Sequence, residues 1–181
     1  MKSFRHGSVP VLLVLFLLAA AAGLSAQDRY ALVAPNGIAF SEIRGYEDWK
    51  VVAPSFRTDN NEVRVILANE VMIGAFRTGA PAPGGSFPEG SIIVKIGYSA
   101  VTSQSFAAAL VPGILKRVEF IIKDSRRFPK TSGWGYARFV YDPAKAAFTA
   151  YGKDAGFGQE CYACHTIVKD QDFIFTKYPQ R

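Results

Sequence analysis

A chain of 181 residues, of which 49% are hydrophobic, is long enough for one domain with a substantial core. Two of the 21 basic residues and none of the 15 acidic residues precede Gln27, so the overall net charge of +6 falls to +4 from Gln27 onward. This surplus is too small to indicate a nucleic-acid partner.

The N-terminal segment has the features of a secretory signal. Lys2 and Arg5 precede an apolar run over residues 9–22, which is too short for a typical membrane-spanning helix. Small residues follow, and we predict cleavage after Ala26, with residues 1–26 as signal peptide and 27–181 as one domain. We therefore expect a periplasmic or otherwise exported protein that does not contact the membrane after cleavage. An uncleaved N-terminal anchor is the alternative.

Alternating polar and apolar residues, interrupted by turn-forming residues, predict several strands in the middle of the chain. A short helix is expected at 68–76, with Asn69 as its cap and Gly79 beyond its end, and a second helix at 158–168. Because turns join consecutive strands, we predict an α+β fold, mainly antiparallel β-sheet with flanking helices. The predicted strands are 49–56, 62–67, 91–98, 115–122, 133–141 and 148–151.

Both cysteines, and the only histidine after residue 26, fall in the run Cys161-Tyr162-Ala163-Cys164-His165. On a helix these three side chains share one face, so two thiols can add to the vinyl groups of a haem while the imidazole reaches its iron. Cys-x-x-Cys-His is the attachment motif of c-type haem. We predict one covalent haem c per chain on the C-terminal helix, with His165 as the metal ligand. A disulfide, or a zinc site completed by carboxylates, is the alternative.

A sixth iron ligand is hard to identify from the sequence. Met72 is the only thioether besides the initiator, and its neighbours Val71 and Ile73 indicate a core position. We therefore expect a vacant side of the iron that binds a small molecule or gas. A simple electron carrier is the alternative, and it requires Met72 to bind iron.

The motif resembles that of the cytochrome P460 family, and so do several other segments that follow one another in the same order over about residues 45–178. The resemblance implies a mainly antiparallel sheet with haem against it, often in a homodimer, and oxidation of hydroxylamine with electrons passing to a soluble redox partner. It also implies a bond from a lysine, here Lys95, to a haem meso carbon. A sister group, the β-type cytochromes c-prime, lacks that bond and binds nitric oxide or carbon monoxide. The segments are 46–49, 65–69, 87–95, 118–119, 123–124, 133–134, 161–165, 169–170 and 173–176.

Two further residues become candidate catalytic groups through this resemblance. Strand periodicity places Lys95 on one face with Ile93 and Gly97, where the glycine would leave room for a flat ring. An ordinary strand lysine in water is the alternative. The resemblance makes Glu119 a pocket carboxylate that accepts protons, whereas the residues around it also allow a surface ion pair.

Aromatic side chains supply candidate walls for the pocket, with ordinary core packing as the alternative for each. Arg138 departs from the family pattern, since it stands where an apolar strand residue is expected. The predicted function is hydroxylamine oxidation at an open-site haem, and gas binding without turnover is the alternative. The candidate walls are Phe76, Phe87, Trp134 and Tyr136.

Overall fold

Six strands form one antiparallel sheet in which each strand pairs with the next along the chain. The computed structural model describes residues 27 to 179, so the predicted signal peptide lies outside the described residues. The predicted mainly antiparallel sheet with helices is confirmed. The strands are β1 (Lys50–Arg57), β2 (Glu62–Ala68), β3 (Ile92–Thr102), β4 (Leu110–Lys123), β5 (Trp134–Asp142) and β6 (Ala147–Ala150).

Both predicted helices are present, and the first has the predicted capping residues. In α1 (Glu70–Arg77) the Asn69 side chain accepts a hydrogen bond from the Met72 amide, and Gly79 follows the end with a φ of 82°. Helix α2 (Phe157–His165) is shorter than the predicted 158–168, because the chain continues as a 3₁₀ segment, Thr166–Gln171. Other 3₁₀ segments are Arg29–Ala31, Phe40–Ile43, Tyr46–Asp48 and Pro129–Thr131.

The two faces of the sheet carry separate hydrophobic clusters, as the period of two in its strands requires. On one face, Val94 and Phe120 pack with Phe40 from the N-terminal segment. On the other face, Ile93 and Ile121 belong to the cluster that includes residues of α1. The predicted division of β3 into two faces is therefore confirmed, and Lys95 lies on the same side of the sheet as Ile93.

No helix within residues 27–179 is long and apolar enough to cross a membrane.

Candidate functional site

The second half of α2 carries both cysteines and ends at His165. Cys161 is half-buried and Cys164 is exposed, and both are free thiols. All three side chains line one cavity, which also involves several strands and residues 174–177. Its volume of about 690 Å³ lies within the roughly 300–1,000 Å³ that is typical of ligand and cofactor sites. The predicted common face of Cys161, Cys164 and His165 is thus confirmed.

His165 is held in the form that can bind a metal. Its Nδ1 lies 2.6 Å from the carbonyl oxygen of Phe173, so Nδ1–H donates to that oxygen and Nε2 keeps its lone pair. Burial lowers the pKa of His165, and the hydrogen bond to Phe173 opposes this only in part. The rings of Tyr136 and Phe175 pack edge-on against the imidazole, with centroids 5.1 and 5.0 Å away.

Lys95 and Glu119 meet in the same cavity. They are directly opposite each other on β3 and β4, and Lys95 Nζ lies 2.6 Å from Glu119 Oε2. Arg138, opposite Glu119 on β5, binds the other carboxylate oxygen through Nε, and Arg117 Nε lies 3.2 Å from Oε2. Glu119 is only 9% exposed, so the ion pair considered for this residue does form with Arg117 but is buried rather than at the surface.

Three cations determine the charge state of Glu119. Burial raises the pKa of the carboxyl, but Lys95, Arg138 and Arg117 together outweigh it and bring the pKa to about 2. Glu119 is therefore ionised throughout the neutral range. It is a strong hydrogen-bond acceptor there, while its basicity is weak as long as all three cations keep their charge.

The lining of the cavity fits a haem, which combines an apolar macrocycle with two carboxylates. Ile66, Ile93, Ile121 and Ile174 supply apolar wall, and one acidic side chain faces six basic ones. Among the residues that line the cavity, two buried polar atoms have neither a hydrogen-bond partner nor an ion-pair partner within residues 27–179, Arg64 Nε and the Tyr136 hydroxyl. They indicate that the cavity takes a partly polar group. The basic residues are Arg57, Arg64, Lys95, Arg117, Arg138 and Lys177.

Of the four aromatic residues considered as walls, Tyr136 alone is among the residues that line this cavity. Phe87 and Trp134 belong to the hydrophobic cluster on the α1 side, where the Phe87 ring lies 5.1 Å from that of Phe76 and 6.2 Å from that of Trp134. Core packing therefore accounts for these three rings. Met72 is fully buried in the same cluster and is not part of the lining, as expected of a core side chain.

The predicted open space at Gly97 is wrong, because the carboxyl group of Glu62 fills it. A Cβ on Gly97 would lie 3.0 Å from Glu62 Oε1. Glu62 is fully buried and pairs with Arg117 Nη2 at 2.7 Å. The cavity lies over Lys95 and Glu119 instead, so the space for a ring comes from the separation of α2 and the sheet.

Several groups in the site were missed by the sequence argument. The Arg138 side chain looked out of place in an apolar strand, yet the β4–β5 register makes it the counter-ion of Glu119. Arg64 had no distinguishing pattern, and the carbonyl of Phe173 carries no mark in the sequence. Of these groups, only Arg138 could have been found from the sequence, as an unexpected arginine in an apolar strand.

Comparison with known families agrees with the geometry of this site. The profile of the family described as Cytochrome P460 matches residues 43–176, which is most of the chain and includes every group discussed above from Lys95 to His165. No curated protein matches the sequence closely enough to count as a relative.

Proposed function

The chain belongs to the cytochrome P460 family, a family of c-type haem cytochromes, and from this premise we propose that it is an exported mono-haem enzyme that oxidises hydroxylamine. The observation that carries the proposal is the presence of Lys95 in the same cavity as Cys161, Cys164 and His165. In this family a lysine bonded to haem accompanies hydroxylamine oxidation. Signal cleavage after Ala26 and a periplasmic location are parts of the same proposal.

The two cysteine sulfurs would hold one haem c, and His165 Nε2 would bind its iron. A haem bound in this way supplies a redox-active Lewis acid that takes up nitrogen ligands and releases electrons singly. Lys95 reaches the cavity from the strand opposite Glu119. A bond from its nitrogen to a meso carbon replaces one hydrogen on each atom, so its formation needs a two-electron oxidant during maturation.

The side chains of the cavity would then bind the substrate and accept its protons. Conversion of hydroxylamine to nitric oxide releases three protons with three electrons, and the electrons pass to a soluble redox partner. Glu119 accepts hydrogen bonds from the substrate's N–H and O–H groups. Once Lys95 is bonded to carbon it no longer has its ammonium charge, and the loss of one of three cations raises the pKa of Glu119 toward a value suited to proton transfer.

Burial raises the pKa of Tyr136, so its hydroxyl stays protonated at neutral pH. This hydroxyl and Arg64 Nε are buried donors without partners among the described residues. We propose that these two donors form hydrogen bonds to oxygen atoms of a molecule bound in the cavity and thereby orient it.

Gas binding without turnover is the second candidate, and the Lys95–Glu119 contact favours it. A lysine attacks carbon only as the neutral amine, whereas a carboxylate 2.6 Å from Nζ stabilises the ammonium. If this ion pair persists after maturation, the bond does not form. The same cavity would then capture nitric oxide or carbon monoxide.

The deciding experiment compares Lys95→Ala with Lys50→Ala in protein from cells with a cytochrome c maturation system. Lys50 is a matched control, because it also pairs with a glutamate but lies on the surface, 2.7 Å from Glu70. We expect the parent protein and Lys50→Ala to show a red-shifted ferrous Soret band and hydroxylamine oxidation. Lys95→Ala should show an ordinary c-type spectrum, no turnover, and intact nitric oxide binding.

Peptide mapping gives the direct chemical check. A tryptic haem peptide should join the segment containing Lys95 to the segment 161–165. An ordinary spectrum without this peptide in the fully matured parent protein would leave gas binding as the function. Covalent attachment itself is tested by extraction with acidified ketone, where haem should stay with the parent protein and leave a variant that combines Cys161→Ala and Cys164→Ala with Lys95→Ala.

A further inference from the structure

A buried ion pair lies outside the cavity, at the junction of β4 with the chain that follows α2. Lys123 Nζ lies 3.0 and 3.1 Å from the two carboxylate oxygens of Asp172, and both side chains are more than nine-tenths buried. Neither residue lines the cavity. An ion pair of this kind is poor evidence for stability, because apolar residues of similar size often serve as well.

The contacts of the Asp172 carboxylate hold the chain that follows α2 against β4 and residues 86–87. Besides Lys123, Oδ2 accepts hydrogen bonds from the Ser86 hydroxyl at 2.9 Å and the Phe87 amide at 2.8 Å. The backbone conformation here is energetically unfavourable, because Asp172 and Phe173 both have positive φ angles, 46° and 65°. Side chains rarely adopt this conformation in succession, and it persists only where surrounding contacts impose it.

The same segment holds the hydrogen-bond acceptor of His165. The carbonyl of Phe173, one residue beyond Asp172, accepts the Nδ1–H bond at 2.6 Å. Ser132, in the β4–β5 connection, makes two further contacts with these groups. Its carbonyl accepts a hydrogen bond from Lys123 Nζ at 3.1 Å, and its hydroxyl lies 2.8 Å from the hydroxyl of Tyr162 in α2. The ion pair and the attachment helix are thus tied to one short loop.

We propose that Lys123 and Asp172 are positioning residues that hold the Phe173 carbonyl against His165 and thereby set the donor strength of the axial ligand. A hydrogen bond from Nδ1–H to a well-placed acceptor raises the basicity of the imidazole toward iron. A stronger donor favours ferric over ferrous iron, so the pair keeps the reduction potential low. This inference rests on the proposed haem ligation by His165, but not on the identity of the substrate.

The test measures the reduction potential and the iron–histidine stretching band of haem-loaded Asp172→Asn and Asp172→Ala. Asparagine keeps an acceptor for Ser86 and Phe87 but loses the charge that pairs with Lys123, whereas alanine loses all of these contacts. We expect the potential to rise and the stretching band to move to lower frequency, by less in Asp172→Asn than in Asp172→Ala. If Asp172→Ala does not fold, Asp172→Asn alone decides by the same two measurements.

Ile38→Ala is the control for a merely structural effect. Ile38 is fully buried in the cluster on the opposite face of the sheet, so its loss weakens the fold without touching the loop. Its potential and band should equal those of the parent protein. An unchanged potential and band in the folded Asp172 variants, or an equal shift in Ile38→Ala, would overturn the proposal. An iron–histidine band that is absent from five-coordinate ferrous parent protein would instead refute ligation by His165, and absent hydroxylamine oxidation with shifted bands would leave this inference intact.

Discussion

Substitution of Glu119 by glutamine removes the only negative charge that the cavity lining offers to Lys95, Arg117 and Arg138. Loss of one partner from a buried ion pair typically costs about 3–5 kcal/mol, because the remaining charge stays buried. The pKa leads to a similar figure. A fall from 4.5 to about 2, at about 1.4 kcal/mol for each pH unit, corresponds to about 3 kcal/mol. While Lys95 keeps its charge, we therefore expect Glu119→Gln to lower the free energy of unfolding by about 3 kcal/mol at pH 7, and by less where Lys95 is bonded to haem.

The pH dependence of this loss has a definite sign. The folded state lowers the pKa of Glu119, so its contribution to stability is complete above the unfolded pKa of 4.5 and disappears as the pH falls toward 2. Urea denaturation of the haem-loaded proteins between pH 7 and pH 3 measures the difference between parent and variant. That difference should be constant above about pH 5 and shrink below it.

Glu70→Gln is the matched control, since Glu70 also pairs with a lysine but its side chain is 74% exposed. Solvent screens such a pair, and the control should unfold almost as the parent protein does. Arg117 and Arg138 hold Glu119 even when Lys95 is bonded to haem, so some loss is expected in either state. Equal stability of the two variants, or a difference that does not shrink at low pH, would refute the electrostatic account of this cluster.

Three further predictions concern the scaffold, all measured by urea denaturation. Met72→Ala should destabilise by about 2–5 kcal/mol through a core cavity but leave the ferrous spectrum unchanged; a changed spectrum would make Met72 an iron ligand. Asn69→Ala should cost about 1 kcal/mol, since it removes the cap of α1, and no loss would show that the cap is dispensable. Gly135→Ala should cost about 1–3 kcal/mol through overpacking, because its Cβ would lie 2.2 Å from the Phe128 ring. Its control, Gly74→Ala in α1, meets no atom within 4 Å and should be neutral or stabilising.

Local patterns in the sequence were enough for the elements and for the attachment motif. Strand periodicity assigned Ile93 and Lys95 to one face, and the structure confirms it, because successive side chains of a strand must alternate. Helical spacing likewise put Cys161, Cys164 and His165 on one side of α2. These inferences succeeded since each depends only on neighbours within one element.

The surroundings of those residues depend on register, which the periodicity of a single strand does not determine. The pairing of Glu119 with Lys95 and Arg138 requires three strands aligned to the residue, and β3 contains a register shift just beyond Gly97. The Glu62 carboxylate beside Gly97 and the Asp172 contacts across the chain arise in the same way. The sequence by itself identified the residues to which we assign the haem chemistry. The tertiary structure alone decided their counter-ions and hydrogen bonds, because those partners are far apart in the chain and meet only when the sheet closes against α2.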